Sequence, residues 1–146
     1  MKPHSRELRG YFVASIALVV PALALGDICG DLLALGKQSA SQFKTLPPGF
    51  HLGDSTCGTE MNGSSATYVC TWENSTAETF KSLEASIKAC PGVTVEDANI
   101  HDAEQRRWWT NFEMKAGKGV TKMDLTGRFQ GRHQDPLQLA VYGQAR

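Results

Sequence analysis

The chain has 146 residues, and its 15 basic and 15 acidic side chains cancel at neutral pH. That length holds one domain with one modest core. The balanced charge, without a continuous basic stripe, argues against a general nucleic-acid binder.

Lys2, Arg6 and Arg9 precede an apolar run from Tyr11 to Leu25 that Pro21 interrupts. The run is short for a membrane span, and the proline breaks its hydrogen-bond ladder. A basic start, an apolar middle and the small residues of Ala24-Leu25-Gly26 predict a secretory signal peptide over residues 1–26, cut before Asp27. Cleavage after Ala24 is the second choice, and a retained N-terminal anchor is the alternative. Cys29 follows Ile28, so the small-residue–cysteine motif of a lipoprotein is absent. Residues 27–146 then form a single domain with no stable membrane span, in the periplasm or outside the cell. They carry 12 basic and 14 acidic residues, unevenly spread: net −7 over residues 27–105 and net +5 over residues 106–146.

Ile28, Leu32, Leu35, Ser39, Phe43 and Leu46 recur at three- and four-residue steps and predict a helix from Asp31 to Thr45. Pro47-Pro48-Gly49 stops it, and a weak strand is expected near Phe50–Gly53. The stretch TCGTEMNGSSATYVC has turn residues at its centre. Folded about Gly63 and Ser64, it sets Cys57 opposite Cys70, where a disulfide fits between facing strands. That leaves Cys29 to Cys90, a long loop whose closure contributes about 4 kcal/mol in the chain-entropy model. The alternative pairing crosses the two and joins the first helix to the hairpin. An even cysteine count fits an oxidising compartment, and no C-x-x-C or Cys/His pair has zinc-ligand spacing. Asn62-Gly63-Ser64 and Asn74-Ser75-Thr76 match the glycosylation sequon, which matters only for a eukaryotic source.

Ala66–Glu73 alternates and is rich in β-formers, so it reads as a strand. Ser75-Thr76-Ala77-Glu78 then predicts a capping box, with Ser75 as the cap and Glu78 reaching back. Phe80, Leu83, Ile87 and Cys90 form the stripe of the second helix, and Glu84 and Lys88 an i,i+4 pair on its side. Pro91-Gly92 ends it, and Val93–Val95 is a possible short strand.

The last third predicts a hairpin with its turn at Lys118-Gly119. Trp108 then faces Phe129, Phe112 faces Leu125 and Met114 faces Met123, with every large apolar side chain on one face. A one-residue slip scatters that set. On the other face Trp109 stands opposite Arg128. Leu137, Leu139 and Val141 supply a further alternating strand after Asp135-Pro136. The expected class is α+β, a two-layer fold: an antiparallel sheet of about five strands with two helices on one face. The element order looks broadly like that of small exported inhibitor and immunity proteins.

The stretch HDAEQRRWW at residues 101–109 gathers a histidine, two carboxylates, two arginines and two tryptophans. His51, His101 and His133 each have an aspartate within three residues, Asp54, Asp102 and Asp135. Brought together they resemble a metal or acid–base set. Their spacing matches no ligand motif, so solvated loops, with Glu104 among them, are expected. There is no G-x-S-x-G elbow, and oxidised cysteines offer no thiolate. Glu96-Asp97 are neighbours that point apart on a strand, and Gly117-Lys118-Gly119 is a turn that no helix follows, unlike a phosphate loop. What survives is a surface of Arg107, Trp109, Arg128 and Tyr142, residue types enriched at protein interfaces. The expected function is therefore an exported, non-enzymatic binding protein without a cofactor or metal. It recognises another protein, as an inhibitor, immunity factor or envelope-assembly partner. The competing readings are a small exported hydrolase or metal-binding protein using the histidine–aspartate clusters, and a structural envelope component.

Overall fold

A computed structural model describes residues 27–99, 107–129 and 134–144. Residues 1–26, where a signal peptide is expected, lie outside that range. The elements run α1 (Ile28–Ser39), β1 (Thr56–Asn62), β2 (Ser65–Trp72), α2 (Ala77–Lys88), β3 (Val93–Asn99), β4 (Arg107–Ala116), β5 (Gly119–Arg128) and β6 (Asp135–Tyr142). The fold is α+β, with six strands rather than five, ordered β1-β2-β6-β5-β4-β3 and antiparallel throughout. Two buried polar contacts place both helices on the same sheet face. Thr110 of β4 donates to Glu84 of α2 at 2.9 Å, and Thr121 of β5 shares a 2.9 Å hydrogen bond with Ser39 of α1. Leu32 and Leu35 of α1 and Phe80 and Ile87 of α2 are fully enclosed against Phe112, Met123, Leu125, Leu137 and Leu139 of the sheet. Burial of each such side chain is worth about 1.5–3 kcal/mol.

α1 starts three residues earlier than the periodicity predicts, because the Asp27 carboxylate accepts from the Gly30 amide at 3.1 Å and caps it. It also stops six residues sooner. Gln42 and Phe43 adopt left-handed backbone, φ 56° and 59°, and carry Phe43 into the core through a turn rather than a helix. The Gln42 amide offsets this strain: it accepts from the Ala66 N–H at 2.6 Å and donates to the Gln144 carbonyl at 2.7 Å. The expected strand at Phe50–Gly53 is a series of turns, with Phe50 N–H bonded to Pro47 O and Ser55 N–H to Leu52 O. Leu52 is completely buried there.

Both disulfides join the expected pairs, Cys57–Cys70 across β1 and β2 and Cys29–Cys90 between the starts of α1 and the loop after α2. At α2 the cap is Thr76 with Thr79, not Ser75 with Glu78. Ser75 is drawn away because its hydroxyl accepts from the Leu137 amide at 2.9 Å, tying the helix entry to β6. Glu78 pairs with Lys81 instead, at 3.3 Å.

The β4–β5 hairpin departs from the expected register by two residues. Its turn is Gly117-Lys118, with Gly117 left-handed at φ 63°. Trp108 faces Gly127, Phe112 faces Met123, and Met114 faces Thr121. The helix layer selects this register. Gly36 of α1 presses so close that a side chain there would sit 2.7 Å from Ala116 Cβ, and small Thr121 below bonds Ser39. Gly127 leaves room for Phe129 to fold back onto Trp108. Phe80, Trp108 and Phe129 then pack edge to face with centroids 5.6–6.1 Å apart.

Candidate functional site on the open sheet face

Among the described residues no helix covers the second face of the sheet, which is built from alternate residues of every strand. The period of two that buries Trp108, Thr110, Phe112 and Met114 turns Arg107, Trp109, Asn111 and Glu113 outward. The same alternation on β5 and β6 presents Asp124, Thr126 and Arg128, and Gln138, Ala140 and Tyr142. β2 adds Thr67 and Val69 beside β6, because those two strands are neighbours. Small side chains at the centre, Thr67, Val69, Thr126 and Ala140, sit between long ones, Arg107 and Tyr142. They form the floor of a trough of about 500 Å³ that reaches β1 at Glu60 and Met61.

The four residues expected to bind a partner all lie on this face, but not in the expected pairing. Trp109 stands opposite Thr126, and Arg128 opposite Arg107. The expected placement of Trp109 directly opposite Arg128 is therefore not found, and the two-residue register difference is the reason. Among the described residues the cation–π contact is Lys81 over Trp108, at 5.6 Å. Opposed arginines repel. Asp135 relieves this on one side, 3.4 Å from Arg128 Nε, a distance that gives an ion pair without hydrogen-bond alignment. Arg107 forms no ion pair among the described residues, is exposed, and lines the trough.

Asp124 organises the floor. It accepts from Asn111 Nδ2 at 2.7 Å and from the Tyr142 hydroxyl at 2.6 Å, linking β4, β5 and β6. Partial burial pushes the Tyr142 phenol up to about 12, helped by the hydrogen bond to Asp124 and by its charge and opposed by Arg107. At the far end Lys122 lies 3.1 Å from Glu96 and 3.3 Å from Glu113. These contacts lower the Glu96 carboxyl, first through its hydrogen bond with Lys122, and raise the Lys122 ammonium, first through the same bond with Glu96. The charges at that end are satisfied internally. Glu113 and Lys122 stand directly opposite each other in the register, which sets their pair.

His51 is exposed on a turn, its Nδ1 2.7 Å from the Gly53 carbonyl, with exposed Asp54 nearby in sequence. His101, Asp102, Glu104 and His133 lie outside the described residues. Asp135 is engaged with Arg128. Among the described residues no three His, Cys, Asp or Glu side chains are grouped to hold a metal, and no helix is long and apolar enough to cross a membrane.

Asp124 and Asn111 were not legible as site residues. Strand alternation puts them on the outward face, but only the true register brings their side chains together. The floor residues Thr67 and Val69 depend on the β2–β6 pairing, which no local pattern encodes. The chain matches no known family model and no curated protein sequence.

Proposed function

We propose that this is an exported, disulfide-stapled, non-enzymatic binding protein that recognises another protein through the open face of its sheet. The observation that carries the reading is Arg107, exposed and without an ion-pair partner among the described residues, at the edge of a trough beside half-buried Trp109. Arginine and tryptophan are the types that dominate binding energy at protein interfaces. The partner chemistry that fits is a carboxylate for Arg107 with an apolar side chain against the Trp109 indole. Export to the periplasm or beyond is supported by two disulfides, which persist in oxidising compartments, and by the leader-like pattern of residues 1–26. Inhibitor, immunity factor and envelope-assembly partner are the roles such a surface serves.

The test is affinity capture from the native envelope with the wild-type protein, Trp109→Ala and Arg107→Ala side by side. A protein captured by the wild type and lost by both variants supports the reading. Equal capture by all three, or hydrolytic activity in the purified protein that needs His51 or Asp135, overturns it.

A further inference from the structure

We infer that β1 is a docking edge and that it pairs antiparallel with β1 of a second copy of this chain. The two ends of the sheet differ in a way that does not depend on the open-face reading. β3, at one end, is guarded. Its ladder shifts between Val95 and Asp97, it carries Glu96 and Asp97, and the Asp97 carboxylate takes up the Ala98 amide at 2.8 Å. Bulges and charges of this kind keep other strands off an edge. β1, at the other end, has no bulge and fewer charges. Its seven residues pair with β2 in unbroken register, without proline, and carry a single charge, Glu60.

The free hydrogen-bonding groups of β1 can be named. The Cα atoms of Cys57 and Cys70 are 4.1 Å apart, the spacing of a non-hydrogen-bonded pair. Cys57, Thr59 and Met61 therefore turn their N–H and C=O groups away from β2. Among the described residues, Thr56–Asn62 make no backbone hydrogen bond outside the β1–β2 ladder. Met61 is 65% exposed, the largest exposure of any large apolar side chain described.

The strand is complementary to itself. About a two-fold axis at Thr59, Cys57 meets Met61 of the second copy, Gly58 meets Glu60, Thr59 meets Thr59, and Thr56 meets Asn62. All seven residues are matched, and the three outward-turned residues exchange about six hydrogen bonds. The one charge meets a glycine, and the exposed Met61 comes beside the half-buried Cys57–Cys70 bridge. Threonine pairs of this kind are favourable across strands. Moving the axis to Glu60 sets like charges directly opposite, which selects the Thr59 axis. Glu60 and Met61 also line the trough, so pairing continues both sheets and sets their open faces side by side.

Sedimentation of the oxidised protein over a range of concentrations tests this, with amide hydrogen exchange to locate the contact. The expected result is a monomer–dimer equilibrium in which the Cys57, Thr59 and Met61 amides gain protection as concentration rises. Thr59→Pro removes an outward N–H and leaves the β2 ladder intact. Thr59→Lys sets two like charges face to face at an exposed position. Each is expected to weaken the dimer by about tenfold or more, while Trp109→Ala leaves it unchanged. A protein that stays monomeric at every concentration, a dimer indifferent to both Thr59 variants, or protection appearing on β3 instead overturns the inference.

Discussion

Adjacent tryptophans on β4 have opposite fates because successive strand residues point to opposite faces. Trp108 is 8% exposed and locked between Phe80 and Phe129. Trp108→Ala should cost about 3–5 kcal/mol through the cavity it leaves. Trp109→Ala should cost under about 1 kcal/mol, as substitutions outside the core do. Chemical denaturation of the two variants checks the difference, and the reverse order would mean that the sheet faces the other way. Tyr142 offers a second residue-scale test. Its ionisation near pH 12 is raised above that of a free phenol, so its contribution favours the fold below about pH 10 and is lost as pH rises through 12. The ring is partly exposed, so solvent screening holds that contribution to about 1 kcal/mol. An ultraviolet titration should show the high transition, and Asp124→Asn should bring it down by removing the charge that the phenol faces.

Among the elements, α2 shows how a surface pattern conceals a buried role. Glu84 and Lys88 form the i,i+4 pair that their spacing predicts, at 2.9 Å. Yet Glu84 is only 5% exposed, because its carboxylate also accepts from the buried Thr110 hydroxyl. Glu84→Ala leaves that hydroxyl without its acceptor and should destabilise by about 1–3 kcal/mol. Lys88→Ala, on an exposed side chain, should cost about 0.5 kcal/mol or less. Thermal melts of both variants check the ratio; equal costs would mean that the Glu84–Thr110 bond contributes nothing. The capping residues of α2 teach the same point. Local sequence offers Ser75 and Glu78, but Ser75 is engaged by the distant Leu137 amide and the cap moves to Thr76.

The whole molecule is a small two-layer fold with two covalent staples. Cys29–Cys90 spans 61 residues and Cys57–Cys70 spans 13. In the chain-entropy model the longer loop contributes about 4 kcal/mol and the shorter about 3 kcal/mol. Removing the Cys29–Cys90 pair by double serine substitution should therefore lower the denaturation midpoint more than removing Cys57–Cys70. Denaturant titration of the two variants reads this directly, and the opposite order would mean that strain or residual unfolded structure outweighs loop length.

The sequence by itself determined what local chemistry controls. Period-two alternation assigned Trp108, Phe112, Met114, Met123 and Leu125 to the core and Trp109 to the outer face. The Asn62-Gly63-Ser64-Ser65 turn set Cys57 against Cys70, and elimination paired Cys29 with Cys90. Tertiary structure decided the rest. A two-residue slip of β5 leaves every side chain on its original face, so the hydrophobic pattern is blind to it. The close approach of Gly36 over Ala116, the Ser39–Thr121 bond and the fold-back of Phe129 over Gly127 choose between the two registers. That choice takes Arg128 away from Trp109 and gives Asp124 to Asn111. The β2–β6 pairing, which forms the trough, joins segments about 70 residues apart through generic backbone hydrogen bonds. Those bonds carry no side-chain signature, and only packing of the complete helix layer on the sheet selects which strands become neighbours.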